Sequence, residues 1–203
     1  IHVDPRLVTF QLDKDAVDEA FKELTDAEDL DEESAEVLVR RGSRVDVVFA
    51  NPARTEAVCA DIVDHFYSTI DPLGMKAQVV VFDRAACVAY HKQLTHLLQQ
   101  RHAQGRPLDE AAVVMHATNG KGEDEEWGQH RRSEAEEAEL LRRFRTHGDP
   151  LKFLVVTSRL GTGFNAPIEA AMYLDKPMKD HTLFQTITRT NRTWRNPQTG
   201  QEK

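Results

Sequence analysis

No apolar run in the 203 residues approaches the roughly 20 that a membrane helix needs, and the chain has no signal-peptide start. Cysteine is scarce. Cys59 and Cys87 fall singly in predicted helices, without His or Cys neighbours at metal spacing, so they read as buried thiols in a reducing compartment. The nine histidines show no ligand spacing such as His-x-x-x-His, which argues against a metal enzyme. Internal repeats and low-complexity tracts are absent too. The opening Ile1-His2-Val3-Asp4 has no initiator Met, so a piece of a longer, cytoplasmic protein is expected.

What is present divides unevenly. The formal net charge is −8, yet residues 1–40 hold thirteen acidic and four basic side chains, leaving the remaining 163 at +1. Nearly all the acidity therefore sits in an N-terminal appendage, residues 1–50, expected to be mostly helical. Bulk charge neither predicts nor excludes nucleic acid; a binding face must come from local clusters. Within the appendage, Ala16, Val17, Ala20, Phe21 and Leu24 are spaced for one amphipathic helix, and a second runs from Asp31 to Gly42. Val45 to Phe49 is ambiguous between strand and helix.

The body, residues 51–203, opens with Asn51-Pro52, an N-cap followed by proline at the first helical position. Val58, Ile62, Phe66 and Ile70 then repeat every four residues until Asp71-Pro72-Leu73-Gly74 ends the helix. From there short continuous apolar runs alternate with helical periodicity: strands at 79–82, 113–115, 153–156 and 171–174, and helices to about 101, after Ser133-x-x-Glu136, and over roughly 181–193. Ser133-x-x-Glu136 is a capping-box signature; residues 118–128 read as a polar loop. Strands alternating with helices predict an α/β fold with a parallel sheet.

Three segments carry chemistry. Thr157-Ser158-Arg159-Leu160-Gly161-Thr162-Gly163-Phe164-Asn165-Ala166-Pro167 directly follows a strand, where ligands of open α/β sheets gather. Its glycines let backbone approach a phosphate, with Thr162 and Asn165 adding hydrogen bonds; a tight turn needing positive φ would also use them. Gln185-Thr186-Ile187-Thr188-Arg189-Thr190-Asn191-Arg192 puts two arginines on one helix face, suited to a phosphate but also to a solvated basic surface. Lys76 to Arg84 ends in Asp83-Arg84, either a polar pair at a strand end or an ordinary helix cap.

In this order and separation the three resemble motifs IV, V and VI of superfamily 2 helicases and translocases. Met172-Tyr173-Leu174-Asp175-Lys176-Pro177, then His181-Thr182-Leu183-Phe184-Gln185 and Asn191-Arg192-Thr193, is similar to the version in restriction (R) subunits of type I restriction-modification enzymes, and Ile62-Val63-Asp64-His65-Phe66 fits that family as well. The resemblance covers roughly residues 52–196. Thr188 and Asn191 replace the glycines of the general motif VI, and Asn165 stands where many relatives carry Asp.

The resemblance implies the second RecA-like motor domain of an ATP-dependent duplex-DNA translocase, its parallel sheet flanked by helices and lacking a last strand. By it, Arg192 would be an arginine finger with Arg189 as its neighbour. Gly161, Thr162, Gly163, Asn165 and Gln185 would meet the nucleotide, and Arg84, Thr157 and Ser158 the DNA backbone. ATP and magnesium would be held mainly by the first RecA-like domain of the same polypeptide, since this chain has no Gly-x-x-x-x-Gly-Lys-Ser/Thr and no Asp-Glu-x-His box. Modification and specificity subunits would be further partners, with no membrane. Another superfamily 2 motor, acting on RNA or in repair, and a non-catalytic RecA-like interaction module are the alternatives.

Overall fold

The computed structural model describes residues 4–9, 48–115, 125–157, 164–176 and 193–200. Two units are distinguished, residues 6–58 and residues 59–203 together with 1–5. The two helices expected within 13–42 lie outside the described residues, as does the helix expected over 181–193 except for Thr193, which is not helical. Of the ambiguous stretch 45–49, Val48 and Phe49 are helical.

Helix α1, Pro52–His65, begins as the sequence indicates: the Asn51 side chain accepts the Arg54 amide at 3.1 Å, and proline sits where no amide partner is needed. It continues as a π turn, Phe66–Ile70, and a 3₁₀ turn, Asp71–Leu73, before Gly74 at φ 72°. A strict four-residue repeat drifts by about 40° per step around an α-helix. Widening the last turn to five-residue hydrogen bonding keeps both Phe66 and Ile70 buried, which accounts for the π geometry.

Strand β1, Lys76–Val81, leads through Asp83 into α2, Arg84–Ala103; the Asp83 carboxylate accepts the Ala86 amide at 2.7 Å. Then come β2, Glu110–Val114; a single helical turn α3, Glu125–Gly128; α4, Glu134–Arg145; β3, Leu151–Val156; and β4, Glu169–Asp175. The loop expected to reach residue 128 thus ends in a helical turn. Ser133 and Glu136 form the full capping box at the start of α4.

All strand pairs are parallel, in the order β2-β3-β1-β4. Registered residues share a face, so Val114, Val156, Val80 and Leu174 form one row and Ala112, Leu154, Gln78 and Met172 the next. These rows, apart from Gln78, pack with Leu140 and Phe144 of α4 and with Phe164 and Ala166. Phe66 packs on Phe153, centroids 4.4 Å apart, on the opposite face. This is an α/β sheet of RecA-like type covered by helices. Cys59 and Cys87 are both free and buried; burial raises both thiols, that of Cys87 to about 12. No described helix is long and apolar enough to cross a membrane.

Candidate nucleotide and nucleic-acid interface

Because every strand is parallel, their carboxyl ends lie along one edge, where open α/β sheets place ligands. Across that edge run Met115 after β2, Thr157 after β3, Asp83-Arg84 after β1 and Lys176 after β4. Thr157 and Arg84 therefore follow adjacent strands. Both are half-buried.

Arg84, the first residue of α2, lays its guanidinium over the indole of Trp127, 4.3 Å from the ring centroid. Trp127 belongs to α3, and its surroundings are tied down by further contacts. His130 meets the His91 ring edge-on at 5.0 Å, and His91 Nε2 lies 3.1 Å from the Ala111 carbonyl. Arg132 donates to the carbonyl of Val113 near the end of β2. Burial lowers the pKa of His91.

The end of β4 is fixed by two tyrosines. Tyr90 of α2 donates a hydrogen bond to Asp175, and His65 Nδ1 lies 2.8 Å from the Tyr173 hydroxyl. The chain next leaves the sheet at Lys176, toward the string that holds Gln185, Arg189 and Arg192.

Asn165 sits elsewhere. Its carbonyl accepts Arg145 Nε at 2.8 Å, at the end of α4, and its own residue is exposed between buried Phe164 and Ala166. The next turn meets the start of β1, where the Lys76 amide donates to Ile168. Asn165 is thus placed toward the amino ends of the strands, away from Arg84 and Thr157. Ser158, Gly161, Thr162, Gly163, Gln185, Arg189 and Arg192 lie outside the described residues. Among the described residues no group of three or more His, Cys, Asp or Glu side chains could hold a metal ion.

Sequence reasoning missed Trp127, Tyr90 and Asp175 as parts of this edge. Trp127 had a signal, an aromatic residue inside the charged stretch Glu123-Asp124-Glu125-Glu126 to Arg131-Arg132. Tyr90 and Asp175 had none, because their partnership joins residues 85 apart.

A parallel α/β sheet with its candidate residues at the carboxyl edge defines the class. Comparison with known proteins defines the family. Residues 114–201 match the family model described as type I restriction enzyme subunit R domain 3. The endonuclease subunit of the HindI type I restriction enzyme from Haemophilus influenzae is 37% identical over 139 residues, 68% of this chain and 13% of that protein. A Methanocaldococcus jannaschii chain assigned as the MjaIXP type I endonuclease subunit is 29% identical over 195 residues, 96% of this chain and 18% of that one. Among solved structures, a fragment assigned as an HsdR subunit of a type I restriction enzyme from Vibrio vulnificus YJ016 matches 72% of this chain and 24% of its own, with 21% identity and a TM-score of 0.49. The chain belongs to the R-subunit family of type I restriction enzymes. It spans less than a fifth of the length of these curated relatives.

Proposed function

We infer that this chain is the second RecA-like motor domain of an ATP-driven duplex-DNA translocase within a type I restriction R subunit. The observation that carries the reading is the placement of Arg84 and Thr157 after neighbouring parallel strands, on the edge from which β4 leads toward Gln185, Arg189 and Arg192. Arg84, Thr157 and Ser158 would grip backbone phosphates of the duplex independently of sequence. Gly161, Thr162, Gly163 and Gln185 would line the nucleotide cleft, with Asn165 set apart toward the amino ends of the strands. Arg192 would stabilise charge on the transferred phosphoryl group, with Arg189 beside it. Such an arginine finger is worth about 10³–10⁵ in turnover.

ATP and magnesium would be bound mainly by a first motor domain, which would carry the phosphate loop. Cleft closure on ATP would then step the pair along DNA. The nuclease would reside in another domain, and modification and specificity subunits would complete a cytoplasmic assembly.

The test is ATP turnover of the full-length parent protein with linear duplex DNA. Arg192→Ala is expected to abolish DNA-stimulated turnover while nucleotide still binds, and Thr190→Ala to leave it intact. Indifference to Arg192→Ala, or a wild type that DNA does not stimulate, would overturn the motor reading. Substituting RNA for duplex DNA as the stimulant separates this motor from an RNA helicase.

A further inference from the structure

We propose that Trp127 is the positioning residue for Arg84, holding its guanidinium in one plane at the carboxyl edge so that it meets a backbone phosphate of the duplex. This rests on the reading of Arg84 as a phosphate contact and adds to it a residue that no motif supplies.

Three observations carry it. First, the guanidinium carbon of Arg84 lies over the indole, 4.3 Å from the ring centroid, a cation–π contact that fixes where the charge sits at this edge. Second, Arg84 is the first residue of α2, with the Asp83 carboxylate accepting the Ala86 amide at 2.7 Å, so its backbone is fixed by the helix cap. A fixed backbone still leaves a long, rotamer-rich side chain, whose ordering on binding opposes affinity. Third, the chain just after α3 is itself anchored. His130 packs on His91 of α2, and Arg132 donates to Val113 of β2. The indole is therefore a rigid platform that orders the arginine before DNA arrives.

The test is the salt dependence of duplex binding by the full-length parent protein, measured by fluorescence anisotropy of a labelled linear duplex between about 50 and 200 mM salt. Arg84→Ala should flatten the plot of log affinity against log salt by about 0.9, one phosphate contact. Trp127→Ala should weaken binding by about two- to fivefold and flatten the plot in the same sense. The double variant should bind no more weakly than Arg84→Ala alone. Trp127→Leu keeps apolar bulk without a ring and should behave as Trp127→Ala; Trp127→Phe should recover part of the loss. A Trp127→Leu variant that binds like wild type while Arg84→Ala is impaired overturns the proposal. Losses that add fully, or leave the slope unchanged, overturn it as well. If Arg84→Ala alters neither affinity nor slope, the phosphate reading of Arg84 fails and the proposal falls with it.

Discussion

Lys76 shows how much one side chain's surroundings can move its chemistry. Its ammonium donates to the Arg143 carbonyl at 3.0 Å and lies 5.7 Å from the Phe144 ring centroid, in a residue that is 1% exposed. Burial, opposed by the carboxylate of Asp149 and reinforced by the charges of Lys152 and Arg143, lowers its pKa from 10.5 to about 8. The unfolded chain keeps the proton up to about 10.5, so between these values it binds more protons than the folded chain. Stability attributable to Lys76 therefore rises with pH from about 8 to about 10.5, and the cost of burying the charge is full below about 8. Buried Cys59 and Cys87 and half-buried Tyr67 have raised pKa values and push the other way, so the comparison is with Lys76→Met. The difference in urea midpoint between wild type and Lys76→Met should shift toward wild type on going from about pH 7.5 to about pH 10. A difference that stays constant would show that Lys76 does not titrate in that window.

At the scale of elements, the capping box was readable because Ser-x-x-Glu is a local code; the π turn was not, because the four-residue repeat fits an ordinary helix until Phe66 and Ile70 must both face the sheet. Ser133→Ala should destabilise by about 1 kcal/mol in thermal or urea unfolding. Gln78 interrupts an apolar row of β1, and its side-chain nitrogen is buried without a hydrogen-bond partner among the described residues. Gln78→Met should therefore be neutral or stabilising by urea midpoint, unlike most core polar substitutions. Gly74 adopts φ 72°, and a Cβ there would stand 2.7 Å from His147 Nε2 and 3.0 Å from Asn196 Nδ2. Gly74→Ala should cost more than the 1 kcal/mol or so typical of a left-handed position alone, checked by thermal unfolding.

For the molecule as a whole, the four apolar runs and the spacing between them were enough to predict a parallel sheet, most clearly at the central strands β1 and β3, which are buried almost throughout and read as continuous apolar runs. Strand order was not legible, because it depends on crossovers between distant residues. The candidate site was legible only where chemistry is local: Arg84 and Thr157 could be placed just after strands, and they do follow neighbouring ones. The position of Asn165 was not, because the chain between β3 and β4 returns to the opposite edge before β4 begins. Under the proposed function half of the nucleotide cleft belongs to another domain, so purified residues 1–203 should show no ATP turnover with or without duplex DNA. Measurable hydrolysis would refute that division of labour.

The anchoring at Gly74 has a genetic corollary. Asn196 donates to the Leu73 carbonyl at 3.1 Å and Trp194 stacks on His147, so the chain that leaves the sheet at Lys176 by one edge is secured again at the other. The residues flanking the string that bears Gln185, Arg189 and Arg192, Asp175 before it and Asn196 after it, are thus each held by a hydrogen bond. In a screen for loss of restriction, lesions at Gly74, His147 or Asn196 would then score beside lesions in the arginines themselves.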